Sequence, residues 1–94
     1  MNTASKGRRN EHRSRALLES EGYQVTRAAG SKGAWDLVGV SAAGFVLLQV
    51  KSNRSPSPAE RQALALFPCP PNCRRLIHVW RDRQRLPDVR EVGR

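Results

Sequence analysis

The sequence predicts an α+β fold in which a mixed β-sheet packs against helices. Two apolar segments, residues 35–40 and 45–51, are rich in β-branched and large side chains and are separated by only a short turn. A helix-forming segment precedes them, and a second helix start follows at Ser57. The predicted order is therefore α-β-β-β-α-β with a possible final strand, an α/β (α+β) arrangement.

The first helix is predicted from about residue 6 to residue 21, with Gly22 in the usual position after a helix end. Leu17–Leu18 marks its buried side, so Glu11 lies on or beside the inward stripe. An unpaired carboxylate there would be costly. An arginine partner or a metal would resolve that cost, and this observation alone favours the arginine.

A first strand is predicted over residues 23–28, followed by a small-residue loop, 29–34, suited to close approach of a ligand or to a plain flexible turn. Further along, Ser57 resembles a helix cap, with Pro58 in the first turn and Glu60 reaching back. This second helix should run to about residue 67. Its expected buried residues are Ala63, Leu64 and Phe67.

The last third of the chain predicts strands. Residues 75–81 alternate in strand fashion, and residues 89–92 predict a short edge strand. His78 lies between two large apolar residues, which favours a packed or surface histidine over a ligand or base. Cys69 and Cys73 are the only cysteines. Reduced thiols or a local disulfide are favoured over a zinc site, which needs four ligands.

The hairpin predicts where three polar side chains meet. If residues 42–43 form a two-residue turn, Ser41 faces Gly44 and Asp36 lies opposite Gln49. Directly opposed side chains share a face, and Lys51 projects from the same face two residues on. The three groups therefore converge.

The 94 residues predict a single domain, 1–94, with residues 1–5 and 93–94 frayed at its ends. The net charge of +9 is spread along the chain, which favours a polyanionic partner, nucleic acid above all, over a charge that only keeps the protein soluble. An anionic membrane surface is a less favoured partner, because no segment combines a long apolar face with a lysine-rich one. No apolar run is long enough to span a bilayer, so we expect a cytoplasmic protein.

Phosphodiester hydrolysis suits these residues. Magnesium prefers oxygen ligands, and Asp36 is the predicted central ligand, with the Gln49 side-chain oxygen and the Val50 backbone carbonyl beside it. Lys51 supplies positive charge next to the attacked phosphate, and Glu11 becomes a second carboxylate if the first helix packs across this sheet face. The alternative is a structural Asp–Lys pair on a sheet.

The order of Asp36, then Gln49 thirteen residues on, then Lys51 resembles the PD-(D/E)XK nuclease core. With segments 8–13, 17–23 and 27–36, the chain is similar to archaeal-type Holliday junction resolvases and their phage relatives over about residues 7–53. The resemblance implies a restriction-endonuclease-like sheet, Mg²⁺ or Mn²⁺, and a homodimer that cuts two strands of branched double-stranded DNA symmetrically. It also implies that the protein acts in a bacterial, archaeal or phage-infected cell. It also implies roles for four residues: Glu11 as the helix acid, Ser31 near the scissile phosphate, Asp36 as the central metal ligand and Lys51 as the catalytic lysine.

Two departures accompany the resemblance. Gln49 stands where the pattern has Glu or Asp, which predicts weaker metal binding and keeps open a catalytically inactive DNA-binding module. The C-terminal half shows no clear match to the family. The candidates there for a surface that contacts a second subunit are Leu64, Leu66, Phe67 and Trp80, and core packing is the alternative for each. A nuclease directed at nicks, flaps or unbranched DNA is a further alternative. The side chains expected to hold DNA are basic: Arg8, Arg9, Arg13, Arg27, Lys32 and Arg54.

Overall fold

The computed structural model describes residues 3–28 and 34–93, with side chains from residue 6 onward. Within these ranges the predicted order is confirmed, including the final strand. The predicted loop over residues 29–34 lies outside the described residues except for Ala34, and so do Met1, Asn2 and Arg94 of the predicted frayed ends. The elements are α1 (Thr3–Ser20), β1 (Gln24–Arg27), β2 (Leu37–Ser41), β3 (Gly44–Ser52), α2 (Pro58–Leu66), β4 (Cys73–Trp80) and β5 (Asp88–Glu91).

The strands form one mixed sheet in the order β1-β2-β3-β4-β5. Neighbouring strands run antiparallel except for β3 and β4, which are parallel and are joined through α2. A parallel pair requires such a crossover connection, whereas antiparallel neighbours can be joined by short turns. The fold is the predicted mixed sheet with helices against it.

The β2–β3 hairpin has the predicted register. Ser41 pairs with Gly44 and Leu37 pairs with Leu48, so the two-residue turn is confirmed. Gly44 has a φ of +140°, and a Cβ atom at this position would collide with the backbone carbonyl oxygen of Asn72. Glycine is required here because any side chain would clash and would strain the backbone.

The two helices cover opposite faces of the sheet. Leu18 of α1 packs on one face, where the buried cluster is Leu18, Val25, Leu37, Val46, Leu48 and Leu76. Leu64 of α2 packs on the other, where the cluster is Trp35, Leu64, Ile77, Val79 and Val92. Strands β3 and β4 are central, and residues 76–80 of β4 are buried without a break because both faces are covered.

Helix α1 begins at Thr3, three residues earlier than predicted, and ends as predicted before Gly22, whose φ is +99°. The Tyr23 amide donates to the Leu18 carbonyl at 3.1 Å and the Gly22 amide to the Glu19 carbonyl at 3.0 Å, which satisfies carbonyls at the helix end. None of the described helices is long and apolar enough to cross a membrane.

Helix α2 has the predicted start and less burial than predicted. Ser57 and Glu60 form a reciprocal capping box, and Pro58 stands in the first turn. Leu64 is buried as expected, but Ala63 is exposed. Phe67 follows the helix as its C-cap and is 37% exposed, with its ring edge-on to Trp35 at 5.6 Å between centroids. The prediction that Ala63 and Phe67 are buried is wrong. Helix α2 has only nine residues, so few of its side chains contact the sheet.

A buried polar network ties α1 to β4. The Trp80 indole N–H donates to Ser14 Oγ at 2.7 Å, and Ser14 Oγ lies 2.9 Å from His78 Nδ1. Burial lowers the pKa of His78 to about 4, so the ring is neutral at pH 7 and Nδ1 can accept the Ser14 hydroxyl proton. The prediction of a packed histidine is confirmed.

This histidine should make the fold acid-sensitive in a defined pH window. Unfolded, His78 titrates near 6.5, and folded, near 4. Because the folded pKa is the lower one, the neutral ring stabilises the fold fully above pH 6.5, and this stabilisation is lost as the pH falls towards 4. Acidification from pH 8 to pH 5 should therefore lower the free energy of unfolding by about 2 kcal/mol. Urea unfolding should show a shallower pH dependence for His78→Gln than for the unsubstituted chain. His12→Gln, at an exposed position, is the control; equal slopes for all three proteins would contradict the assignment.

Candidate active site

Asp36 lies directly before β2 and ties that strand to β3 through both backbone and side chain. Its amide donates to the Leu48 carbonyl at 2.9 Å, and its Oδ2 accepts the Val50 amide at 2.7 Å. The regular ladder ends at the Leu37–Leu48 pair. The predicted direct pairing of Asp36 with Gln49 is therefore wrong in detail. The Asp36 carboxylate, and not a backbone carbonyl of the neighbouring strand, accepts the hydrogen bond of the Val50 amide.

Charges from three elements act on the Asp36 carboxyl. Burial raises its pKa above the usual 3.8, and the nearby Glu11 carboxylate acts in the same direction. The Val50 amide hydrogen bond and the positive charges of Lys51 and Arg27 act against this rise without cancelling it. A partly buried carboxyl within reach of a second carboxylate and two cations is the kind of perturbed group that active sites contain.

Lys51 lies on the face of the sheet that α2 covers. Leu47 packs into the core on that face, and Gln49 and Lys51 follow at the strand period of two. The Lys51 ammonium lies 3.0 Å from Glu60 Oε2, and its side chain is only 17% exposed. Glu60 was predicted only as a capping residue, and the sequence carries no signal for its contact with Lys51.

Gln49 has one satisfied and one orphaned polar atom. Its Nε2 donates to the Ala34 carbonyl at 3.3 Å. Its Oε1 is buried and has no hydrogen-bond partner among the residues that the structure describes. A buried acceptor without a donor costs free energy unless water or a cation satisfies it.

Glu11 forms the salt bridge that the helix pattern favoured. Its Oε1 lies 2.9 Å from Arg27 Nε, and the Glu11 side chain is 21% exposed. The conditional expectation that α1 packs across the face carrying Gln49 and Lys51 is wrong, because α1 packs on the opposite face. Glu11 still acts on Asp36 electrostatically, since Asp36 precedes β2 and lies where the paired region of that strand ends.

A profile of the archaeal Holliday junction resolvase (Hjc) family matches residues 2–58, more than half of the chain. The chain belongs to this family. The matched segment contains Glu11, Asp36, Gln49 and Lys51 and ends before Glu60. The resemblance predicted from the sequence is thereby confirmed, and the chain is a Holliday junction resolvase, a structure-specific DNA endonuclease.

One solved structure extends the likeness beyond the matched segment. Hjc of Archaeoglobus fulgidus, described as a Holliday junction resolvase from an archaeal hyperthermophile, aligns with a TM-score of 0.67 and 21% identity over 93% of this chain and 71% of that one. At this identity the likeness concerns the fold, and it confirms the predicted fold class. The search of curated protein sequences found no significant match.

The remaining predicted contacts of this resolvase with DNA are basic side chains on or near α1. Arg8 lines a concave surface beside Glu11 and Arg27. Arg9 and Arg13 line a second hollow, where the Arg13 guanidinium stacks 3.9 Å above the Trp80 ring centre. Arg54 is exposed, and the predicted site residues Ser31 and Lys32 lie outside the described residues.

The two cysteines lie next to each other in the resolvase. Cys69 Sγ donates to the Cys73 carbonyl at 3.8 Å, and both thiols are free. Burial and the neighbouring Cys69 raise the pKa of Cys73 to about 11, so this thiol is protonated at neutral pH. Residues 3–28 and 34–93 contain no cluster of three His, Cys, Asp or Glu side chains that could bind a metal.

The oxygen donors of Asp36 and of the neighbouring strand β3 are of the kind that a hard divalent cation prefers. Magnesium keeps several waters and needs few protein ligands, which suits a site with one central carboxylate. The orphaned Gln49 Oε1 supplies a neutral oxygen. The Val50 carbonyl lies on the same side of β3 as the Val50 amide that binds Asp36, since both groups of one strand residue face one neighbour. Asp36, Gln49 and Val50 with Glu11 nearby therefore form a chemically suitable set.

Proposed function

We propose that this resolvase cuts four-way DNA junctions by metal-dependent hydrolysis of paired phosphodiester bonds. The observation that carries the proposal is the placement of Asp36, with its raised pKa, within electrostatic reach of both Glu11 and Lys51, while β3, the strand that carries Lys51, also carries the unpartnered oxygen of Gln49. A structural Asp–Lys pair would not account for the buried Gln49 oxygen, which has no donor among the described residues.

Each residue has a distinct task in this proposal. Asp36, Gln49 Oε1 and the Val50 carbonyl would hold Mg²⁺ or Mn²⁺, with Glu11 contributing negative charge. When bound, the cation supplies charge neutralisation at the phosphate and activation of a water. Lys51 would stabilise the negative charge that builds up on the phosphate oxygens.

The surface around this site suits a phosphate backbone. Arg8, Arg15 and Arg27 line the concavity that also contains Glu11, and the chain as a whole carries a net charge of +9. Contacts of arginine with phosphates position a duplex without reading its sequence. We therefore expect recognition of the branched shape, in the cytoplasm where such DNA is found.

Two copies would place two sites on one junction, so we propose a homodimer. Leu64 and Trp80 are core residues, but Leu66 is 73% exposed and Phe67 is partly exposed next to it. Of the four residues predicted as partner surface, these two apolar side chains are the ones that remain exposed. Light scattering of the purified protein, alone and with a junction, measures whether two copies assemble.

A cleavage assay separates this proposal from its alternatives. Labelled four-way junction, nicked duplex, flap, plain duplex and single strand are incubated with the protein and Mg²⁺, Mn²⁺ or chelator. Symmetric paired cuts confined to the junction and lost with chelator are the expected result. Equal cutting of every duplex would favour a general nuclease. Tight binding without cutting under any metal would favour the DNA-binding module that Gln49 keeps open.

The glutamine makes a specific prediction. Gln49→Glu adds a carboxylate where the orphaned oxygen now lies, so Mn²⁺ should bind roughly tenfold or more tightly, and cleavage should be preserved. Calorimetric titration measures the affinity, and Gln62→Glu, at an exposed position on α2, controls for the added charge. Strong inactivation by Gln49→Glu would show that the amide has a task that a carboxylate cannot perform.

A further inference from the structure

We propose that Glu60 is the residue that positions the Lys51 ammonium in the active site. This inference rests on the proposed nuclease function and adds to it a residue outside the segment that matches the resolvase family, which ends at residue 58. Glu60 Oε2 lies 3.0 Å from Lys51 Nζ. The lysine is on β3 and the glutamate on α2, so the contact joins the strand of the site to the helix that covers its face.

The Glu60 carboxylate is held at both oxygens. Oε1 accepts the Ser57 amide at 3.0 Å, and the Glu60 amide in turn donates to Ser57 Oγ at 3.1 Å. These bonds form the capping box at the start of α2. The Ser57 amide and Lys51 together lower the pKa of Glu60 to about 2. The Glu60 carboxylate is therefore held in position and is negatively charged at neutral pH.

Helix capping does not account for the charge of Glu60. A capping box requires an oxygen at this position, and glutamine supplies one as well as glutamate does. Ion pairs as exposed as this one contribute little to stability, since the Glu60 side chain is 45% exposed. The consequence of the charge is instead the position of Lys51.

Lys51 needs an external partner because its own side chain does not determine where the ammonium lies. A lysine head is a point charge on a flexible four-carbon stem. On the face of the sheet that Lys51 occupies, its neighbour two residues earlier is the neutral Gln49. Glu60 is therefore the carboxylate that the described structure places against the ammonium.

Two substitutions separate the positioning role from the capping role. Glu60→Gln keeps the capping oxygen and removes the charge, so single-turnover cleavage of a saturating junction should fall roughly tenfold to a hundredfold, while the melting temperature falls less than in Ser57→Ala. Ser57→Ala removes the capping hydroxyl and keeps the carboxylate. It should lower the melting temperature by about 4–8 °C and leave cleavage at 20 °C within about twofold.

A matched control accounts for the change of net charge. Glu21→Gln also removes one negative charge, at an exposed position just after α1. Both Glu→Gln variants should bind the junction equally well, and Glu21→Gln should cut it at the unsubstituted rate. The loss in Glu60→Gln then lies in the cleavage step and not in DNA affinity.

Nuclear magnetic resonance of lysine ammonium groups tests the contact without any cleavage. The chain has three lysines, and Lys6 pairs with Asp82 at 3.0 Å, which provides an internal reference. In Glu60→Gln the Lys51 ammonium signal should broaden through exchange with water, while the Lys6 signal persists. Lys51→Arg assigns the signal.

The outcomes are distinguishable. Loss of the Lys51 signal together with slower cleavage supports the positioning role. An unchanged Lys51 signal overturns it, and so does a Glu60→Gln variant that cuts at the unsubstituted rate or faster, since a faster rate would mean that Glu60 withholds the lysine from phosphate. An unsubstituted chain that cuts no junction under any metal overturns the proposed function itself, and this role with it.

Discussion

Replacement of Asp36 by asparagine is expected to lower junction cleavage roughly a thousandfold while DNA binding persists. Asparagine keeps an oxygen that can accept the Val50 amide, now bonded at 2.7 Å to Oδ2, so the local backbone should not move. It removes the charge of the central proposed ligand. Gel-shift affinity and single-turnover cleavage are measured on the same junction, and Asp88→Asn is the control because Asp88 lies at the edge strand, paired with Arg81. Normal cutting by Asp36→Asn would disprove the site assignment.

The same variant should not be less stable than the unsubstituted chain. Burial raises the pKa of Asp36 in the folded protein above the ordinary 3.8. The protonated carboxyl therefore favours the folded state at low pH, and the ionised carboxylate disfavours the folded state at neutral pH. Asparagine is neutral, so with chelator at pH 7 the melting temperature should stay the same or rise. This result would show that the loss of cutting comes from the site and not from unfolding, as expected where function holds a destabilising charge.

Truncation of Leu48 is expected to have the largest effect on stability. Leu48 is fully buried under α1, and its carbonyl accepts the Asp36 amide. Leu48→Ala should lower the free energy of unfolding by about 2–5 kcal/mol through lost burial and the cavity left behind. That is a large share of the 5–15 kcal/mol typical of a small domain.

Denaturant unfolding measures this effect, with Leu86→Ala as the matched control. Leu86 is 62% exposed between β4 and β5, and its truncation should change stability by less than about 0.5 kcal/mol. Similar decreases in the free energy of unfolding of the two variants would contradict a core centred on β3. Residual cleavage by Leu48→Ala at low temperature should also fall, because the backbone that holds Asp36 repacks.

Local patterns in the chain were sufficient for much of this fold. The residues 41–44 allow only a short turn, and the pairing of Ser41 with Gly44 follows from it. The Ser57 and Glu60 spacing determined the start of α2, and Gly22 the end of α1. Each of these features depends on neighbours within a few residues, so the sequence carries the whole signal.

The candidate site was predictable as a set of residues but not as a geometry. Spacing brought Asp36 and Lys51 into one neighbourhood, and the structure places them within electrostatic reach. It did not reveal that Asp36 would accept the Val50 amide and end the β2 ladder. That outcome depends on a side chain taking the place of a backbone acceptor, which pairing rules do not describe.

Contacts between distant segments were decided only in three dimensions. The buried bonds that join Ser14, His78 and Trp80 cross more than sixty residues. The sequence allowed packing for His78 and Trp80 but carried no signal for the bonds through Ser14. Lys51 and Glu60 are only 9 residues apart in the sequence. Their contact nevertheless requires α2 to cover one face of the sheet while α1 covers the other.

By itself the sequence determined the order of the elements, the register of the hairpin and the acid and lysine that mark a resolvase. Tertiary structure alone decided which face each helix covers, and with it that Glu11 and Lys51 approach Asp36 from different sides. The physical reason is that periodicity defines which side chains share a face, whereas the choice of partner for that face depends on packing the whole core at once.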